Sequence, residues 1–287
     1  QEKNLIKKSK GALIIDLNKW GLENAVIEKT DGTTLYMTRD IAAAIDRYKR
    51  YKFDKIFYEV GQEQKLYFRQ LFKILELMGY KWAQNCIHVD HGLYLDSRGK
   101  KFSTRKGKTV FLEDIIEKTK FLAEKEIKKR IKKISKKDLE KRALRVAIAA
   151  IFYGDLKNNR KSDVVFDINK FISFEGDTGP YLMYSYARAS SILRKSGTIL
   201  KKFELENLEE KEIELVKKLS QFSETVLNAS RSLNPSVIAN YSYQLAQAFN
   251  EFYHSCKVIG SSQETFRLAL VEAFRQVLKN SMGLLGI

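Results

Sequence analysis

Apolar and polar positions change their rhythm about 40% of the way along the chain. Up to about residue 117, short β-branched or aromatic runs alternate with amphipathic helical patterns; from residue 118 the pattern is almost wholly helical, broken by a few glycines. That order predicts an α/β region followed by an all-α helix bundle, mostly helical overall. Leu13–Leu17 and Ala25–Lys29 read as short strands, and Asp31-Gly32 as a tight turn. Thr38 is expected to cap a helix from Arg39 to about Tyr51, with Ile41, Ala44, Ile45 and Tyr48 on one face. Lys55–Val60 reads as a strand stopping at Gly61, followed by a helix from about Gln62 to Met78. A helix, a strand, a glycine and a second helix form the rhythm of a parallel, nucleotide-binding sheet, whose ligands sit beyond the carboxyl ends of the strands.

Further on, Ile127, Ile131 and Ile134 recur at helical spacing, predicting one amphipathic helix with a basic face. The run from Ala143 to Leu156 is too apolar for a surface helix. Asp167 and Thr178-Gly179-Pro180 read as helix starts, proline in a first turn costing no hydrogen bond. Helices are expected at about 180–195, 207–231, 235–257 and 262–283. Tyr241, Leu245 and Phe249, four apart, read as core.

Charge changes the picture more than composition does. The 287 residues carry a net +17, and residues 118–142 alone hold twelve Lys/Arg against four Asp/Glu. A field of that size attracts polyanions, with nucleic acid ahead of an anionic membrane surface. The bland account is a lysine-solvated surface, and it applies equally to residues 118–142. Seventeen Phe, 14 Tyr and two Trp exclude disorder as the main state. No run approaches the roughly 18 apolar residues of a membrane helix. Two cysteines are too few for a disulfide framework, which fits a reducing cytoplasm. The amino end lacks a secretory pattern and begins with Gln1, so the chain reads as a fragment or a processed protein.

Two constellations carry chemistry. Tyr36 and Asp40 lie four apart at a helix entrance, and Gln64 follows the Lys55–Val60 strand. A buried carboxylate, a phenol and an amide suit a flat polydentate cation such as guanidinium and reject lysine, which lacks the fork. The alternative is that Asp40 favours the helix dipole and Tyr36 is ordinary core. The second constellation is Gly99–Lys108, with cations at Lys100, Lys101, Arg105, Lys106 and Lys108 and hydroxyls at Ser103 and Thr104. Such a loop can close over a triphosphate and neutralise a leaving pyrophosphate. It lacks the Walker pattern, and a generic basic hairpin is the competing account.

The stretches DGTTLYMTRDIAAAIDRY, YEVGQEQKLYFRQLFKILELMGY and KFSTRKGKTVFLEDI, in that order, resemble arginyl-tRNA synthetase, a class I aminoacyl-tRNA synthetase. The likeness runs on through LRVAIAAIFYGDLKNNRKSDVVFD, SFEGDTGPYLMYSYARASSILRK and NEFYHSCKVIG to MGLLGI. It implies a Rossmann-type catalytic domain, here its distal half over 1–117 with 1–30 the remnant of a connective insertion, and an anticodon-binding bundle over 118–287. It also implies ATP-dependent activation of L-arginine to arginyl-adenylate, then transfer to the 3′ end of tRNA(Arg). The first step in this family usually needs bound tRNA. ATP is then a substrate, Mg2+ accompanies it without a protein metal site, and the expected protein is a cytoplasmic monomer without membrane contact.

The resemblance also assigns residues. Tyr36, Asp40 and Gln64 match the arginine pocket, and His91-Gly92 the stretch lying against adenine. Lys101–Arg105 matches the mobile loop, with Lys101 also facing ATP and Lys101, Arg105 and Lys106 the ordered candidates for assisting pyrophosphate departure. Thr104 stands where class I enzymes usually have the loop's second lysine. Tyr181, Tyr184 and Arg188, at i, i+3 and i+7, match anticodon contacts and form one helical face for stacking unpaired bases. The alternative is that one or both tyrosines pack in the bundle core. The paired-histidine element of class I enzymes is not found around His88, His91 or His254. A C-terminal part with negligible aminoacylation on its own is therefore expected. The competing function is a non-catalytic tRNA-binding paralogue.

Overall fold

The computed structural model describes residues 5–96, 99–100, 111–165, 173, 175–197 and 207–287. They form two compact units, Gln1–Leu93 and Tyr94–Ile287.

The first unit opens with an antiparallel three-stranded sheet, β1 (Ile6–Ser9), β2 (Ala12–Ile15) and β3 (Ala25–Glu28), in that order. β1 escaped the sequence reading because all four of its residues are exposed, leaving no alternation to detect. The expected turn at Asp31-Gly32 is present: Gly32 has φ +77° and the Asp31 carboxylate accepts the Thr33 amide at 3.0 Å. Helix α1 spans Tyr36–Tyr51 and so begins earlier than Thr38 suggested. Thr38 caps nothing, because it is already the third residue of α1; its hydroxyl instead donates to the Ile27 carbonyl at 2.5 Å and fastens the first turn of α1 to β3.

β4 (Ile56–Gly61) and β5 (Cys86–His91) pair in parallel, with Gly61 opposite His91 at their carboxyl ends. Between them run a short turn of 3-10 helix, Gln62–Gln64, and α2 (Lys65–Leu77). α2 fully buries Leu71, Ile74 and Leu75 against Leu17, Ala44 and Trp82. Each such side chain contributes about 1.5–3 kcal/mol over its exposed state. Tyr48 stacks on Trp82 at 4.9 Å, and the Gln70 amide donates to the Glu23 carbonyl at 2.8 Å, tying α2 to the loop before β3.

In the second unit, β6 (Tyr94–Leu95) pairs in parallel with β7 (Val164–Val165). The single basic helix expected around residues 118–142 is instead a hairpin of α3 (Leu112–Arg130) and α4 (Lys136–Leu156). The chain turns extended at Ile131, just past α3, and Ser135 caps α4 by accepting the Asp138 amide at 3.1 Å. Ile127, Ile131 and Ile134 keep an inward role across the break, packing with Leu139 and Ala143. The run from Ala143 lies buried as expected.

α5 (Gly179–Ser196) starts where the Thr178-Gly-Pro motif placed it, with the Thr178 hydroxyl accepting the Tyr181 amide at 3.3 Å. A Cβ on Gly179 would lie 2.1 Å from the Ala149 carbonyl oxygen, so glycine lets α5 start against α4. The helix expected over 207–231 is divided at Gln221 into α6 (Glu210–Ser220) and α7 (Phe222–Ser232). α8 (Ser236–Ser255) and α9 (Glu264–Leu284) complete the bundle. Its core holds Tyr153, Leu182, Leu245, Phe249 and Phe274, the last two stacked at 3.8 Å; Tyr241, Leu245 and Phe249 are all buried as read. The expected start at Asp167 and the loop residues Lys101–Lys108 lie outside the described residues. No helix among the described residues is long and apolar enough to cross a membrane.

Candidate functional site

In the first unit the site-bearing carboxylate is Asp40, half-buried on the second turn of α1. The Tyr67 hydroxyl, three residues past Gln64 on α2, donates to its Oδ2 at 2.5 Å. The phenol touching Asp40 is therefore Tyr67, which sequence reasoning did not single out. Tyr36 is 78% exposed at the first turn of α1, and Gln64 is exposed as well. Within this unit they do not enclose the carboxylate as a buried triad would. Burial, then the Asp40 carboxylate, push the Tyr67 phenol well above its usual range, so it stays a donor. Among the described residues Asp40 forms no ion pair.

At the strand ends, His88 Nε2–H donates to the Val60 carbonyl at 2.9 Å, and its ring stacks on Phe68 at 4.5 Å. His91 Nδ1–H donates to the Gly92 carbonyl at 2.8 Å, which fixes the ring at the carboxyl end of β5. His91 and Gly92 thus sit where parallel sheets present ligands.

The second unit carries a preformed platform. Arg188 on α5 lies over the rings of Tyr184, at 4.9 Å, and of Tyr253 on α8, at 5.0 Å. Its Nη2 donates to the Tyr184 hydroxyl at 3.2 Å and its Nη1 to Asn250 Oδ1 at 2.5 Å. Buried Asn250 also donates to the Tyr181 hydroxyl at 2.7 Å and to Ser185 Oγ at 3.0 Å. One amide thus fixes three members of the α5 face. Tyr184 is 43% exposed and Tyr253 39% exposed, whereas Tyr181 packs against the bundle core. The core alternative therefore fails for Tyr184 and holds only in part for half-buried Tyr181, because the α5 stripe that faces inward runs through Leu182, Ser185 and Ala189.

A cleft of about 700 Å3 opens beside the platform, lined by Tyr184, Arg188, Lys195, Tyr253, His254 and Lys257. A second, of about 370 Å3, includes Tyr181, Tyr184, Arg188, Asn250 and, from the end of α3, Arg130. Sequence reasoning missed Asn250, Tyr253 and Lys257. A signal was present for two of them: Asn250, Tyr253 and His254 fall at i, i+3 and i+4 on α8, whereas Lys257 lies past the end of that helix.

Glu209, Glu212 and Cys256 are the one acid-and-thiol cluster of metal-like spacing among the described residues. It already surrounds a cation. Arg267 donates from Nε to Glu212 at 2.7 Å, from Nη2 to Glu209, and from Nη1 to the Lys257 carbonyl at 2.8 Å.

The model of the class I tRNA synthetase (R) catalytic domain matches residues 1–168. The chain belongs to the arginyl-tRNA synthetase family. A second family model, the DALR anticodon binding domain, matches residues 182–287, the α5 platform and the bundle behind it. Curated members of the family include the arginine–tRNA ligase of Halothermothrix orenii, 44% identical over all of this chain and 51% of that protein. The arginine–tRNA ligase of Clostridium acetobutylicum is 42% identical with the same coverage. Among solved structures, Thermus thermophilus arginyl-tRNA synthetase superposes with a TM-score of 0.88 at 26% identity, over all of this chain and 55% of that one. The Plasmodium falciparum enzyme gives 0.85 at 25%, over 99% of this chain and 49% of that one. The chain spans about half the length of the curated relatives it matches. The expected fold, a class I synthetase catalytic portion followed by an anticodon-binding bundle, agrees with these matches.

Proposed function

We propose that this chain supplies the arginine-selecting and tRNA-reading part of an arginine–tRNA ligase, acting as a cytoplasmic monomer. The reaction it serves joins L-arginine to ATP: the arginine carboxylate attacks the α-phosphate, pyrophosphate leaves, and arginyl-adenylate then passes arginine to the 3′ end of tRNA(Arg). No side-chain nucleophile is required, so the protein's work is orientation and charge stabilisation. The carrying observation is Asp40, a half-buried carboxylate with a phenol on one oxygen and no ion pair among the described residues.

A guanidinium offers that carboxylate two parallel N–H donors, whereas an ammonium cannot match the fork. Tyr36, one turn before it on α1, and Gln64, in the turn before α2, are both exposed and available to close over a bound side chain. His91 and Gly92 would lie against the adenine. Lys101, Ser103, Thr104, Arg105 and Lys106, all outside the described residues, would neutralise the departing pyrophosphate. Mg2+ would arrive with ATP; the acid cluster around Arg267 does not fit it, being filled by a guanidinium. Tyr184 and Arg188, steadied by Asn250, would receive unpaired anticodon bases, with Tyr181 bracing the platform from the core side.

Calorimetric titration of the chain with L-arginine and, separately, L-lysine tests this reading. Arginine should bind and lysine should not, and Asp40→Ala should abolish the difference. Equal binding of the two amino acids, or an unchanged preference in Asp40→Ala, would leave only RNA binding, the activity of a non-catalytic paralogue.

A further inference from the structure

We propose that the tip of the α3–α4 hairpin is a phosphate-binding surface for the same RNA whose bases stack on the Tyr184–Arg188–Tyr253 platform. The proposal rests on the RNA-binding half of the reading above and extends it to a surface that reading does not use. Over residues 128–137 the tip carries Lys128, Lys129, Arg130, Lys132, Lys133, Lys136 and Lys137, every one exposed. Two nearby acids answer some of that charge. Glu126 pairs with Lys129 at 2.6 Å and with Arg130 at 2.7 Å, and Asp138 is engaged by Ser135 at the cap of α4. Lys128, Lys132, Lys133, Lys136 and Lys137 form no ion pair among the described residues. Five exposed ammonium groups on one turn repel each other and gather counterions, and a polyanion that displaces those ions gains their release entropy.

The tip is also rigidly seated. Ile127 and Leu139 are buried beneath it, and Ile131 and Ile134 pack onto them from the turn itself. The apolar residues face inward, so the tip offers charge without an insertable apolar edge; an interfacial membrane segment needs both. Its position decides the partner. Arg130, at the end of α3, lines the same cleft as Tyr181, Tyr184, Arg188 and Asn250, so the basic tip adjoins the aromatic platform. Glu175 lines that cleft too and sets a negative limit on one side of it. An RNA loop stacking its bases on the tyrosines has its phosphates close by, and a basic tip beside the platform is placed to meet them.

The test compares the full chain with a K128Q/K132Q/K133Q/K136Q/K137Q variant. Both are titrated over a range of salt with an RNA stem-loop carrying an arginine anticodon and with the same stem-loop made abasic in the loop. The variant should bind both RNAs at least tenfold more weakly at low salt. Its slope of log affinity against log salt should be shallower by roughly 0.7–0.9 for each phosphate that is no longer neutralised. Tyr184→Ala should weaken binding of the native loop alone and leave the slope unchanged. An unchanged slope in the lysine variant overturns the hairpin proposal, and the platform still stands if Tyr184→Ala weakens binding. A shallower slope with no effect of Tyr184→Ala keeps the hairpin and removes the base-stacking reading. Phosphatidylserine vesicles that bind in a lysine-dependent way, while RNA binding does not depend on those lysines, would also overturn it. Should the fivefold variant fold poorly, Lys132→Gln/Lys133→Gln, confined to the bend between the helices, must show the same change at smaller amplitude.

Discussion

The two units hold their functional groups in opposite ways. In the helical unit the platform is finished before any partner arrives: a buried amide, Asn250, fixes Tyr181, Ser185 and Arg188 together, and the guanidinium lies over two rings. In the α/β unit the Asp40 carboxylate has a single hydrogen bond among the described residues, from Tyr67, while Tyr36 and Gln64 stand in solvent. A binding surface for stacked bases gains from rigidity, because each ring ordered in advance lowers the entropic cost of association. A pocket that must tell one small cation from another gains from leaving its acceptor open, since only the matching fork then satisfies it.

The difference is open to attack through each unit separately, because each contains one buried cysteine, Cys86 in the first and Cys256 in the second. The largest effect is expected from Arg267→Met. It strands Glu212, whose side chain is fully buried, without its cation, which should cost the helical unit about 3–5 kcal/mol. Alkylation of Cys256, followed by peptide mass spectrometry in rising urea, should accelerate strongly while that of Cys86 does not change. Equal acceleration at both thiols would show that the units do not unfold independently.

Next comes Asp40→Ala. The loss of a charge-assisted acceptor should weaken arginine binding by about 1.5–3 kcal/mol, roughly 10- to 150-fold, with Tyr67→Phe costing less, because it removes only the neighbour that orients the carboxylate. Tyr184→Ala should reduce affinity for an anticodon stem-loop by about 1–3 kcal/mol, the worth of one stacked base. Asn250→Ala should reduce it as well, although that side chain is buried, by releasing Arg188. Comparable losses in both variants with unchanged thermal melting would sharpen the picture of a prebuilt platform. Thr178→Ala, which removes the α5 cap, should cost only about 1 kcal/mol by circular dichroism in urea.

A separate effect is one of pH. Burial pushes the Cys86 thiol up to about 11; burial and the Glu209 carboxylate push Cys256 up to about 12. Both thiols stay neutral in the fold, whereas unfolded thiols ionise near 8.5. Stability should thus be flat below that value and decline as pH rises towards 11 for the first unit and 12 for the second. Chemical denaturation at pH 8 and pH 10, read at each thiol, checks the direction.

Much of this molecule was legible in its residues. The β4 strand with its stop at Gly61, the Thr178-Gly-Pro start of α5 and the inward stripe of Tyr241, Leu245 and Phe249 follow from local periodicity and turn chemistry, which act over a few residues whatever the rest of the chain does. The family could be read for the same reason, because its motifs are contiguous stretches. Tertiary structure decided what needs a partner distant in sequence. Thr38 ties α1 to a strand carbonyl 11 residues away in the chain, and Tyr67, not Tyr36, holds Asp40 because α2 packs beside α1. The basic run became a hairpin because α4 buries its apolar face back along α3. Arg188 found Asn250 across 62 residues of chain. A hydrogen bond between separated segments leaves no period in a sequence; it exists only once packing has carried donor and acceptor to the same place.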